Sequence, residues 1–142
     1  MNNRFKFRVW DKLAKRMIYP HNDNQQHFII DLNGRFHNLQ NGSGGDDYVI
    51  QQYTGLNDKN NIEVYEGDIL EFSNHIDEYK IGYVGFTAGS FYVNFLDDTD
   101  EEIAFLTTKD AKIIGNIFNN VLVATIKEYM DGYFYLWIED II

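Results

Sequence analysis

The stretch from Tyr48 to Phe72 constrains the fold most, because its turn residues recur too closely for helices. Tyr48 to Tyr53 reads as a strand, Thr54-Gly55-Leu56-Asn57-Asp58-Lys59 interrupts it, and Ile62-Glu63-Val64-Tyr65 resumes. A second interruption, Glu66-Gly67-Asp68, leads into Ile69-Leu70-Glu71-Phe72. Glycine in a helix interior costs about 1 kcal/mol relative to alanine, whereas in a turn it supplies φ > 0 without strain. The order is therefore strand, turn, short strand, turn, strand. At the second turn Gly67 allows the bend and Asp68 bonds nearby backbone amides. Paired catalytic carboxylates at Glu66 and Asp68 are the competing reading.

The flanking segments carry the same signal. Arg4 to Trp10 alternates, with Arg4, Lys6, Arg8 and Trp10 facing one way and Phe5, Phe7 and Val9 the other. Asp11 to Arg16 is a polar turn, after which Met17-Ile18-Tyr19 returns toward Pro20. Asn33-Gly34 predicts a hairpin with a two-residue type I′ loop, a turn that needs φ > 0 at both central positions. That register sets Leu32 opposite Arg35, Ile30 opposite His37 and Phe28 opposite Leu39. One face then holds Phe28, Ile30, Leu32 and Leu39, with Ile29 and Phe36 on the other. Asn41 to Asp47 reads as a flexible polar loop.

A third hairpin joins Tyr79–Phe86 to Phe91–Leu96 through the four-residue loop Thr87-Ala88-Gly89-Ser90. Val84, Phe86, Phe91, Val93 and Phe95 share one face, and Gly82 lies opposite Phe95. The other face shows Ile81, Tyr83, Tyr92, Asn94 and Leu96. After the acidic turn Asp97–Glu102, Ile103–Leu106 and Ile113–Phe118 read as short strands. The end of the chain admits two readings. Asn120–Met130 fits a helix, or Val121–Lys127 and Tyr133–Ile138 form a hairpin around Asp131-Gly132. The Asp-Gly turn and the aromatic run after it favour the hairpin.

Charge narrows the function classes. Residues 1–16 hold six basic side chains against Asp11 alone, a net of +5, while the other 126 residues hold six basic and 21 acidic groups. An acidic body of that kind argues against a general polyanion binder, because phosphate neutralisation needs a basic surface. With no cysteine, disulfides, thiolate metal sites and a cysteine nucleophile all drop out. The first residues lack the apolar run of a secretion signal, and no stretch reaches membrane-span length. The expectation is a soluble, cytoplasmic protein of a bacterial host, not associated with membranes.

No constellation specifies catalysis. His21, His27, His37 and His75 are scattered, without helical i, i+4 spacing, and the hairpin register above turns His27 and His37 to opposite faces. Asp97–Glu102 lacks a calcium-loop pattern, Gly89-Ser90 lacks a nucleophile elbow, and no phosphate-binding glycine loop occurs. The chain reads as a non-enzyme with no metal and no cofactor.

The candidate interaction surface is Arg4, Lys6, Arg8 and Trp10, together with Tyr83 and Tyr92. A basic strand with an aromatic residue can follow phosphates and stack a base. Docking of that strip on carboxylates of the same assembly is the reading the acidic body favours. Partly exposed tyrosines on the third hairpin point to a protein partner or self-association, and ordinary cross-strand packing explains them equally well.

Gln52-Tyr53-Thr54-Gly55-Leu56-Asn57-Asp58-Lys59 and Tyr65-Glu66-Gly67-Asp68-Ile69 also carry a family likeness, with Phe7-Arg8-Val9-Trp10-Asp11 before them and Ile114-Gly115-Asn116-Ile117-Phe118 after. Together they resemble the YopX family of small bacteriophage and prophage proteins. The resemblance implies a phage or prophage origin and a β-rich fold with a small SH3-like barrel around Asp68–Phe95. It supplies no catalytic residues. Asn60-Asn61 departs from the family's usual glycine there, mildly, since asparagine also tolerates the left-handed region. The aromatic extension after Phe118 departs further.

The expected fold is mainly β, short antiparallel hairpins forming a small SH3-like barrel or twisted sheets, with little helix. One YopX-like β domain is expected over 1–142, divisible into N-terminal hairpins 1–60, a barrel-like part 61–118 and an extension 119–142. The expected role is a non-catalytic phage or prophage accessory protein that binds a host or phage protein or forms a homo-oligomer. A single-stranded nucleic-acid module is the alternative, and an acidic DNA mimic that inhibits a host protein is the weaker one.

Overall fold

A computed structural model of the chain describes residues 4–22, 27–73, 79–95, 103–119 and 122–124. The chain divides into two compact units, Met1–Tyr53 and Thr54–Ile142. Both are built from antiparallel strands, as the alternating sequence requires. None of the described helices is long and apolar enough to cross a membrane.

In the first unit β1 (Phe7–Asp11) is the central strand. It pairs with β2 (Arg16–Ile18) on one side and with the start of β5 (Tyr48–Asn57) on the other. Val9 therefore faces Ile18 and Ile50 at once, and it is completely buried. A hairpin of β3 (Phe28–Ile30) and β4 (Phe36–Asn38) supplies the rest of this core. Phe36 packs with Val9 and Ile18, and its ring centroid lies 4.6 Å from that of Tyr48.

The register of that hairpin corrects the sequence expectation by one residue. Ile30 pairs with Phe36, Ile29 with His37 and Phe28 with Asn38. The Asp31 carboxylate is the cause. Its Oδ1 accepts the Asn33 and Arg35 amides at 2.8 and 3.0 Å, while the Asp31 carbonyl accepts the Gly34 amide at 2.9 Å. That Asx-stabilised turn has three loop residues and needs a left-handed residue only at Gly34, φ 79°. A one-residue shift exchanges the faces. Phe28, Ile30 and Phe36 now face the core, while Ile29, Leu32 and Leu39 are exposed.

Asn41–Asp47 is likewise ordered where a flexible loop was expected. The Ser43 carbonyl accepts the Asn38 amide at 2.8 Å, Gly44 bridges His37, and Gly45–Asp47 forms a 3₁₀ turn. A Cβ at Gly44 would strike the Phe36 carbonyl oxygen, so the close approach itself requires glycine.

In the second unit β6 (Glu63–Tyr65) lies against the end of β5, where Thr54 Oγ1 donates to the Val64 carbonyl at 2.8 Å. β7 (Asp68–Ser73), β8 (Tyr79–Thr87), β9 (Ser90–Phe95), β10 (Ile103–Phe105) and β11 (Ala111–Asn116) make a five-stranded sheet ordered β10-β9-β8-β7-β11. The antiparallel sheets of the fold include a curled half-barrel. Its core is Val64, Leu70, Val84 and Ala111, with Phe72, Phe91, Leu106 and Ile113 against them. Each buried Val or Leu of that set contributes about 1.5–3 kcal/mol.

The β8–β9 register agrees with the sequence reading: Phe86 faces Phe91, Val84 faces Val93, and Gly82 faces Phe95. Its loop is shorter than expected. Thr87 pairs with Ser90, leaving Ala88 and Gly89 as a two-residue turn with φ of 49° and 78°. The left-handed pair assigned to Asn33-Gly34 thus occurs here instead.

Leu122–Ala124 are helical, and Asn119 caps them by accepting the Leu122 amide on Oδ1 at 3.0 Å. The expected hairpin, which ran a strand through Leu122–Ala124, is corrected at those three residues. Tyr133–Ile138, Asp97–Glu102, Leu96 and His75 lie outside the described residues.

Candidate interaction surface

The basic strand is less open than its alternation suggested. Arg8 keeps only 3% of its surface exposed, and its Nε donates to Gln51 Oε1 at 2.8 Å across the β1–β5 pair. Lys6 extends over the Tyr53 ring, Nζ 5.3 Å from its centre, and Arg4 lies exposed over Phe5 at 4.8 Å. Trp10 is half-buried between Met17 and Val49. Of the four, Arg8 and Trp10 lie on β1 while Arg4 and Lys6 precede it, and Arg8 belongs to the interior.

The tyrosines divide in the same way. Tyr83 is 2% exposed and its hydroxyl accepts from Asn94 Nδ2 at 3.3 Å, so it is a core residue and offers no surface. Tyr92 is half-buried with its ring over Gly85, where an added Cβ would come within 2.5 Å of the ring. Cross-strand packing is the reading that fits both.

The carboxylates that could do chemistry hold turns. Asp68 Oδ2 accepts the Tyr65 amide at 2.7 Å, across the bend at Gly67 with φ 81°. Asp11 Oδ1 accepts the Leu13 and Ala14 amides at 3.1 and 3.0 Å. Asp58 is buried and accepts three amides, from Asn60 and Ile62 at 2.9 Å and from Ile113 at 3.1 Å. Desolvation is the largest single influence on Asp58 and raises its pKa. The amides of Ile62, Ile113 and Asn60 outweigh it, so the carboxyl titrates below its usual range.

On the outer face of the β3–β4 hairpin His37 Nε2 donates to Asp31 Oδ2 at 2.9 Å. That bond, more than the Arg35 and Asn33 amides, lowers the Asp31 pKa. The corrected register also returns His27 to the His37 face, because His27 accepts the Leu39 amide two residues before Ile29. Among the described residues no three His, Asp or Glu side chains are grouped to hold a metal ion.

Among the described residues, two exposed surfaces outside that candidate set stand out. The first is that outer face, with Ile29 and Leu39 beside the turn residue Leu32. The second is the β1–β2 turn, where Leu13 is 78% exposed between Lys12, Lys15 and Arg16. The sequence places those cations in a polar turn of the basic segment; the signal for a surface there is three bases and a leucine in five residues.

The family model described as YopX protein matches residues 6–123. The chain belongs to the YopX family. Two solved structures share the architecture of this YopX chain. Protein EF1440 from Enterococcus faecalis is 28% identical, with a TM-score of 0.52 over 82% of this chain and 94% of that one. Protein yopX from Bacillus subtilis is 20% identical, with a TM-score of 0.57 over 85% and 97%, a likeness of fold alone. No curated protein matches the YopX chain.

Proposed function

We propose that this YopX chain is a non-catalytic phage or prophage accessory protein that works by binding protein, either itself or a host or phage partner, in the bacterial cytoplasm. The observation that carries this reading is how its polar and apolar side chains are divided. Asp11, Asp31, Asp58 and Asp68 each accept backbone amides at a turn, which leaves them poor candidates for proton transfer. Meanwhile Ile29, Leu32 and Leu39 stand exposed together on one hairpin, as residues that meet a partner do. Size-exclusion chromatography with light scattering, joined to affinity capture from host lysate, tests the reading. Self-association, or a specific partner retained at equimolar ratio, supports it. A chain that stays monomeric at every concentration and retains nothing above control defeats it.

A further inference from the structure

We infer that the β1–β2 turn and the 3₁₀ turn beside it form a self-complementary patch through which two copies of this chain pair about a two-fold axis. This rests on the interaction-module reading and names its partner as a second copy. Lys12, Lys15 and Arg16 are exposed, and among the described residues none of the three makes a side-chain hydrogen bond or ion pair. Asp46 and Asp47 are exposed and equally unengaged. The two groups are neighbours in the fold, since the Lys12 amide donates to the Asp47 carbonyl at 3.0 Å and Asp11 pairs with Tyr48. One patch therefore displays three cations and two carboxylates that do not neutralise each other.

A two-fold interface needs that combination, because the same surface must supply both partners of every contact. In the pair, Lys12 and Arg16 of one copy meet Asp46 and Asp47 of the other, and the two exposed Leu13 side chains cover apolar area near the axis. The patch is also held in shape before binding. Asp11 Oδ1 accepts the Leu13 and Ala14 amides, and Lys15 sits at φ 52°, so little ordering entropy is lost on association. Exposed ion pairs contribute about 0–1 kcal/mol each and are screened by salt, so the dimer is weak and ionic-strength dependent.

The test is analytical ultracentrifugation of the whole chain at low and at high salt. The wild type is expected to approach twice the monomer mass with rising concentration at low salt, and to return to monomer at high salt. Lys12→Glu/Arg16→Glu should be monomeric, and Asp46→Lys/Asp47→Lys should be monomeric. An equimolar mixture of the two should dimerise again, a rescue that loss of folding cannot imitate. Circular dichroism melts matching the wild type confirm that both variants fold. A monomeric wild type at low salt overturns the pairing, although a different protein partner would still satisfy the broader reading. Wild-type self-association that neither charge variant alters also overturns it and moves the interface elsewhere. So does a single-stranded oligonucleotide shift lost in Lys12→Glu/Arg16→Glu, which would assign the same cations to phosphate.

Discussion

Asp58 and Ile113 stand 55 positions apart, and the carboxylate of the first accepts the amide of the second at 3.1 Å. The same carboxylate closes its own turn through Asn60 and Ile62, with Asn61 left-handed at φ 62°. A second bond follows the same path, from the Lys59 amide to the Ala111 carbonyl at 2.9 Å. One buried side chain thus ties the turn after β5 to an edge strand of the five-stranded sheet. Removing it leaves three amides without their acceptor. Asp58→Ala should therefore cost about 3 kcal/mol or more, since a hydrogen bond to a charged group is worth about 1.5–3 kcal/mol. Asp58→Asn keeps one acceptor oxygen and should fall between. Urea unfolding midpoints at neutral pH would check the order.

The pH dependence follows from the same group. Its folded pKa lies below the ordinary 3.8, so the unfolded state takes up the proton first as pH falls. The stability it contributes is complete above 3.8 and disappears as pH drops through the folded pKa. The half-buried Asp31, also lowered, acts in the same direction. Between neutral pH and that threshold these two groups should leave stability unchanged. In urea titrations at a series of pH values, Asp58→Asn should show a shallower acid limb than the wild type. An equally steep limb would assign acid sensitivity to other carboxylates.

Close backbone approach makes a separate prediction at Gly82, on β8 opposite Phe95. A Cβ there would lie 2.5 Å from Val93 Cγ1 and 2.9 Å from the Asn94 carbonyl oxygen. The valine can turn, but the carbonyl is fixed in the ladder. Gly82→Ala should cost about 1–3 kcal/mol as an overpacked core site, in contrast to the usual gain from removing a strand glycine. Thermal melting would show which sign holds.

How far each hairpin could be read from sequence depended on what set its register. β8 and β9 are long, and their alternation leaves one apolar face, so Phe86 opposite Phe91 is legible in the sequence. β3 and β4 are only three residues each, too short for patterning to outvote the turn. There Asp31 decided the register through side-chain bonds that a turn dipeptide does not encode. Arg8 was misplaced for another reason. Alternation assigns a residue to a face but does not say whether that face is covered, and β1 has neighbours on both edges, with Arg8 and Val9 both buried. By the same limit, a polar turn at Asp11–Arg16 was legible but not the exposure of Leu13, in a turn where Asp11 accepts the Leu13 and Ala14 amides.

The two β3–β4 registers can be told apart by mutation. With Ile30 opposite Phe36, Phe36 is 2% exposed and Leu32 points into solvent. Phe36→Ala should then cost about 3–5 kcal/mol, as aromatic truncation in a core does. Leu32→Ala should stay within about 0.5 kcal/mol, as surface changes do. The alternative register predicts the reverse order. Paired urea curves for the two variants decide it.

Arg8 sets a condition on any binding experiment with the basic strand. Charge reversal at Arg8 places a carboxylate in a site that is 3% exposed, facing the Gln51 carbonyl oxygen. Leaving a buried charge without its partner costs about 3–5 kcal/mol, enough to unfold a marginally stable domain. Arg4 is exposed, so Arg4→Glu should leave stability within about 0.5 kcal/mol. Arg8→Glu should accordingly lose cooperative unfolding whether or not the strand ever touches a ligand, and Arg4→Glu should keep it. Circular dichroism melts of both variants, run before any binding assay, check this. A stable Arg8→Glu would mean that the guanidinium is not committed to the fold, and the strand would again be a candidate surface for phosphates.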